Sequence, residues 1–137
     1  MRSLAAAAVV LTALALAATA ASPAPAQPAR TKPLVGDVER GRQVYGRRCS
    51  GCHSMVLNRS GPRHLKVFGK PAASVEDYEY SDALKRSGIV WNERNLDLWL
   101  ADPEKLVPGN YMGYAVGSAR DRADIIAYLK FMSRPRR

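Results

Sequence analysis

Both cysteines of this 137-residue chain, and one of its two histidines, fall within the pentapeptide Cys49-Ser50-Gly51-Cys52-His53. That spacing is the signature of covalent c-type haem attachment. Each of two thiols three positions apart adds to a haem vinyl group, and the adjoining imidazole enters the space beneath the iron as an axial ligand. One such motif implies one haem, so the rest of the chain is expected to fold around it. A folded core from about Gly36 to Arg134 is small, and domains of this size bury a modest fraction of their surface. A buried haem supplies the missing core.

Two other readings of paired cysteines compete. In an oxidising compartment two cysteines more usually form a disulfide, and Cys-x-x-Cys also marks thioredoxin-like redox proteins. A thioredoxin-type motif belongs in a βαβ pattern, whereas the flanks here read as helix and no apolar strand precedes Cys49. A plain disulfide leaves His53 unexplained.

The compartment is read from the N-terminus. Met1-Arg2-Ser3 precedes an apolar run from Leu4 to Ala18, followed by the small residues Thr19-Ala20-Ala21-Ser22. One basic residue, an apolar core and an Ala-rich cleavage region make residues 1–20 a secretory signal. Ala18-Thr19-Ala20 suits cleavage after Ala20, and Ala24-Pro25-Ala26 suits cleavage as late as Ala26. The alternative is a retained membrane anchor, since the run approaches the roughly 18 apolar residues at which a spanning helix becomes a candidate. Weakly apolar alanines and the small-residue sites that follow favour cleavage. Either way the folded part is expected outside the cytoplasm, in the periplasm. Residues 21–35 form a Pro- and Ala-rich leader without apolar periodicity, expected to be disordered. Residues 36–134 form the domain and 135–137 a basic tail.

Within the domain, Asp37 is a natural N-cap for a helix beginning at Val38. Val38, Gly41, Val44 and Tyr45 share one face of it, and Cys49, Cys52 and His53 follow at i, i+3 and i+4. From Ser54 to Tyr80 periodicity fades, with turn signals at Gly61-Pro62 and Lys70-Pro71, which suggests a loop wrapped on the cofactor. Ser81 caps a short helix over Asp82 to Ser87, stopped by Gly88. Asn92 caps the next, with Leu96, Trp99 and Leu100 as its buried stripe and Asp102-Pro103 as its end. A brief turn is expected around Glu104 to Leu106, then an irregular stretch from Pro108 to Gly113. The last helix starts near Ser118 to Asp121 and buries Ile125, Ile126, Tyr128, Leu129 and Met132. No repeat and no convincing strand is present, so the chain is expected to be all-α with long loops.

A second axial ligand decides the function, because a thioether raises the potential and closes the iron to oxygen or substrate. Met55, Met112, Met132 and His64 are the candidates. Met55 is too near His53 to reach the opposite haem face, and Met132 sits at helical spacing with Tyr128 and Leu129, where methionine is usually core filler. Met112 lies in a Pro- and Gly-bounded loop that a cofactor can hold, and it is preferred. His64 would give bis-histidine iron at lower potential, but beside Met112 it reads better as a surface or haem-edge imidazole.

Taken together these residues resemble a class I c-type cytochrome of the kind found among soluble bacterial relatives of mitochondrial cytochrome c. The stretches that carry the likeness are Gly36-Asp37-Val38-Glu39, Cys49 to His53, Gly61-Pro62, Tyr80-Ser81-Asp82-Ala83, Gly88-Ile89-Val90-Trp91, Asp102-Pro103, Pro108 to Met112 and Arg122 to Leu129. The resemblance implies a cytochrome c fold, three to five helices wrapped around one covalent haem c, with His53 and Met112 as axial ligands. It implies that Gly41 and Tyr45 cross the last helix at Ile125 and Tyr128. It also implies that the Pro62 carbonyl accepts the ring N–H of the ligating histidine, and that Tyr80 and Trp91 hydrogen-bond a buried propionate.

Departures from the family pattern concentrate near the iron. His64 and Leu65 stand where the pattern has Leu then His, and Lys66 replaces a Gly. Leu84 replaces a usual Asn and Trp99 a usual Tyr, both of which support a water near the methionine. Trp99 can still donate from its indole N–H, but Leu84 can neither donate nor accept.

A formal charge of +9 suits fast, salt-sensitive encounter with acidic partners. Nucleic acid is not implied, since no recognition motif accompanies the charge and the compartment is wrong. The lysine ring usual in the family is incomplete, with Glu104, Lys105 and Tyr111 near the methionine loop and an acidic run at Glu76, Asp77, Glu79 and Asp82. The expected function is that of a monomeric one-electron carrier, not an enzyme. Its partners would present acidic docking surfaces: a quinol-cytochrome c oxidoreductase, a terminal oxidase, a photosynthetic reaction centre or a periplasmic dehydrogenase. The alternative is the haem c electron-transfer subunit of a periplasmic dehydrogenase complex. Membrane association is expected only if the N-terminal segment is retained.

Overall fold

Polar caps set where each helix starts. In the computed structural model, which describes residues 34–135, the Asp37 side chain accepts the Arg40 N–H at 2.7 Å and opens α1, Val38–Arg48. Ser81 caps α2, Asp82–Arg86, and Asn92 caps α3, Glu93–Ala101, each by accepting the N–H three residues on. Ser118 does the same for α5, Ala119–Met132. The signal and most of the leader, together with Arg136 and Arg137 of the tail, lie outside the described residues.

One expected turn is a helix. Asp102 ends α3 and at the same time caps α4, Pro103–Leu106, by accepting the Lys105 N–H at 3.0 Å. Proline stops the preceding helix yet is preorganised for the first position of the next, so the same dipeptide carries both signals. Five helices are thus present among the described residues, with no strand beyond an isolated bridge between Pro71 and Val90.

The frame is the crossing of α1 on α5. Gly41 faces the backbone carbonyl of Asp124, and a Cβ at Gly41 would overlap that oxygen and crowd the Tyr128 side chain. Missing side-chain bulk is therefore what lets the two backbones touch. Tyr45 packs edge-on against Tyr128 at 5.4 Å between ring centroids. Ile125, Ile126 and Leu129 are buried as expected, whereas Tyr128 and Met132 are only half-buried. An unexpected core member is Asp124, 1 % exposed. Its carboxylate accepts the Asp37 N–H at 2.7 Å and Arg40 Nε at 2.9 Å, which fastens the first turn of α1 to α5. Burial pushes this carboxyl up, but the Arg40 and Asp37 hydrogen bonds outweigh it and hold it below its ordinary value.

α3 lies against both α4 and α5. It buries Leu96, Trp99 and Leu100, and the Val116 N–H donates to the Leu100 carbonyl at 2.7 Å. No helix among the described residues is long and apolar enough to cross a membrane.

Candidate functional site

The helical path of α1 runs one turn past its end. Cys49 N–H donates to the Tyr45 carbonyl at 2.8 Å, and His53 N–H donates to the Cys49 carbonyl at 2.8 Å. Cys49, Cys52 and His53 therefore stand on one edge of a single turn. No disulfide joins the two cysteines, of which Cys49 is half-buried and Cys52 exposed.

His53 is buried and its orientation is fixed from two sides. Nδ1 lies 2.8 Å from the Pro62 carbonyl. A carbonyl only accepts, so Nδ1 carries the proton and Nε2 keeps its lone pair. Gly61 presses its backbone on the ring, and a Cβ there would overlap the imidazole. Burial lowers the pKa of His53, with the Pro62 bond opposing, which favours the neutral ring a metal requires.

His64 is half-buried and lines the same cavity as His53. Its ring stacks on His53 at 4.0 Å between centroids and 24° between planes. That places it on the histidine side of the cavity, so it is no rival to Met112 for the opposite face. Tyr45 Oη is 3.2 Å from its Nδ1. Burial, then the neighbouring His53, pushes His64 down to about 3, so the ring is neutral. Sequence reasoning named His64 as a departure but missed this pairing with Tyr45. The signal was available only as two polar groups aimed at one core position from distant parts of the chain.

Met112 is held by its loop. Glu104 accepts the Gly109 N–H at 3.0 Å, Gly109 adopts φ +83°, and Asn110 Oδ1 accepts the Met112 N–H at 2.7 Å. Trp99 Nε1 donates to Met112 Sδ at 3.2 Å. The indole thus reaches the sulfur directly, while Leu84, buried at 8 % exposure, offers nothing polar beside it.

Cys49, Cys52, His53, Pro62, Tyr80, Trp91, Trp99 and Met112, scattered over the sequence, all line one cavity of about 820 Å³. Pockets of several hundred Å³ take ligands of cofactor size. Thiols at one edge, an imidazole with its lone pair available, a thioether and a largely apolar wall suit a porphyrin. Trp91 and Trp99 pack at 5.3 Å and Tyr80 meets Tyr78 at 4.8 Å, so these aromatics are core as well as lining. Among the described residues no cluster of three or more His, Cys, Asp or Glu side chains offers a separate metal site.

Comparison with known proteins agrees with this chemistry. The family model described as Cytochrome c matches residues 38–133. The cytochrome c of Euglena viridis is 41% identical over 98 residues, covering 69% of this chain and 96% of its own. That of Tetrahymena pyriformis is 41% identical over 106 residues, covering 76% and 95%. Among solved structures, cytochrome cH from Methylobacterium extorquens aligns with a TM-score of 0.67 at 40% identity, over 70% of this chain and 99% of that one.

Proposed function

This chain belongs to the cytochrome c family, electron carriers whose haem c is covalent and held here through Cys49 and Cys52, and from that premise we propose a periplasmic carrier with His53 and Met112 as axial ligands. The haem supplies a one-electron couple. What the chain's own residues contribute is closure and stiffness around it.

The Pro62 carbonyl keeps the proton on His53 Nδ1 and leaves Nε2 to ligate, raising the basicity of the ring. Trp99 holds the Met112 sulfur through its indole N–H, and Asn110 fixes the Met112 backbone. His53 and Met112 would together hold the iron of a bound haem, which would leave no site for oxygen or substrate, and a thioether ligand would favour the reduced iron. Tyr80 and Trp91 are assigned the haem propionate. The observation that carries the reading is that His53 and Met112 face one cavity, each with its orienting hydrogen bond already made.

A periplasmic address follows from the secretory signal of residues 1–20, with cleavage after Ala20 or as late as Ala26 and the domain occupying residues 36–134. Acidic docking partners are assigned from the charge of +9, which falls to +8 when Arg2 leaves with the signal. Reversible redox titration of the purified protein tests the reading. It predicts a single one-electron transition and no carbon monoxide binding by the reduced form; ready carbon monoxide binding would overturn the closed site.

A dedicated dehydrogenase partner is the second reading. Tyr111, beside the proposed ligand, is 75% exposed and Tyr114 45% exposed, an aromatic rim suited to a lasting interface. Size-exclusion of native extract separates the two, since migration as a small monomer removes the subunit reading.

A further inference from the structure

The stacked pair His53 and His64 calls for a role, because polar groups inside a small core are costly unless they are partnered. His64 occupies a position where the family pattern has leucine, and Tyr45 lies in the buried face of α1 with only 6% of its surface exposed. The two meet at 3.2 Å between Tyr45 Oη and His64 Nδ1, so each satisfies the other. Their arrangement is not that of a filler pair. The Pro62 bond restrains His53 at Nδ1, within the plane of the ring, and the Gly61 backbone bears on the ring near Cε1, so these two limit the tilt of the plane only in part. His64 lies flat on the ring face, 4.0 Å away and 24° from parallel, and limits that remaining freedom. Tyr45 in turn fixes His64 and is itself seated edge-on to His64 at 5.8 Å and to Tyr128 of α5 at 5.4 Å. The chain of contact runs from the α1–α5 crossing to the imidazole.

We propose that Tyr45 and His64 form a positioning dyad that sets the plane of the His53 imidazole and stabilises the more positive, oxidised state of the centre through the stacked polar ring. This rests on the reading of His53 as the axial ligand. The dyad works through His53 and touches no substrate. A leucine at the same place would fill the volume while supplying neither a flat face nor a dipole. Removing the dyad therefore loosens the imidazole plane and leaves a less polar wall, which favours the reduced form.

The test uses the full haem-loaded protein and three variants: His64→Leu, His64→Phe and Tyr45→Phe. The readouts are the g-anisotropy of the oxidised iron, which reports the ligand plane, and the reduction equilibrium against a reference couple. His64→Leu is expected to change the anisotropy and raise the reduction equilibrium constant by about threefold to tenfold, the upper bound being 59 mV for one electron. His64→Phe keeps a planar ring and is expected to hold the wild-type anisotropy. Tyr45→Phe is expected to move both readouts in the direction of His64→Leu but less far. Unchanged anisotropy and equilibrium in folded His64→Leu, a fall in the equilibrium constant, or silence in Tyr45→Phe would each overturn the dyad. Tyr45→Phe removes one oxygen atom only, which keeps the test open if a His64 variant fails to fold. Failure of the axial reading is separable. It shows in the wild type, as a missing methionine-to-iron absorption band, before any variant is made.

Discussion

Alanine at Gly41 and alanine at Gly46 should change stability in opposite directions, although both replace a glycine in α1. On helix propensity alone each gains up to about 1 kcal/mol, because glycine is that much worse than alanine inside a helix. At Gly46 nothing lies within 4 Å of the new Cβ. The propensity term stands there unopposed, reduced somewhat by proximity to the end of α1, so Gly46→Ala should stabilise by roughly 0.5–1 kcal/mol. At Gly41 the Cβ would overlap the Asp124 carbonyl oxygen and carbon and press on the Tyr128 Cβ. Two of those three atoms are backbone and cannot swing aside, so α1 and α5 must separate. Overpacking a core costs typically 1–3 kcal/mol even where side chains can adjust, and here the Asp124 bonds to Asp37 and Arg40 span the same junction. The upper end applies, and subtracting the propensity gain leaves a net loss of about 2 kcal/mol. Urea unfolding of the oxidised haem-loaded protein, followed by Trp91 and Trp99 fluorescence, gives both numbers from one assay. A Gly41→Ala variant as stable as Gly46→Ala would refute the close approach.

Trp99→Phe keeps the ring and deletes the N–H that reaches Met112 Sδ; losing one net hydrogen bond of about 1 kcal/mol should let added imidazole displace the methionine roughly fivefold more readily, measured by absorption titration. Asp124 is held below its ordinary carboxylate value of 3.8 despite burial, so its contribution is present above that value and is lost as pH falls through the folded pKa. Asp124→Asn should accordingly be less stable than wild type at pH 7 and should narrow the gap below pH ~3.8, read from urea midpoints at the two pH values. Lys66 stands at φ +62° where the family pattern has glycine, and left-handed backbone costs a non-glycine residue about 1–2 kcal/mol. Lys66→Gly should raise the unfolding midpoint, and a lower one would show that the loop does not bear this strain.

What was legible in the sequence divides along the range of the interactions. Asp37, Ser81, Asn92 and Ser118 mark helix starts because a cap bonds only three residues ahead. The turn from Cys49 to His53 is equally local. α4 was hidden because Pro103 both ends one helix and begins another, and only the backbone decides which signal dominates. Nothing local marks Asp124 as buried, because its partners Asp37 and Arg40 are more than 80 residues away. His64 depended on how the loop after Gly61 folds back, which periodicity does not encode. For the site, the motif and family likeness named residues from every part of the domain, and one cavity gathers them. Likeness named Pro62 beside His53 and Trp99 near Met112; the His64 ring stacked on His53 and the Asn110 bond to the Met112 backbone lay beyond both spacing and likeness.

The axial pair is tested most directly by the long-wavelength methionine-to-iron absorption band of the oxidised protein, compared across Met55→Ala, Met112→Ala and Met132→Ala. Ligation by Met112 predicts the band in wild type, Met55→Ala and Met132→Ala and its loss in Met112→Ala alone, where reduced iron then binds carbon monoxide. A band that survives Met112→Ala, or that wild type lacks, would contradict the closed His53 and Met112 centre.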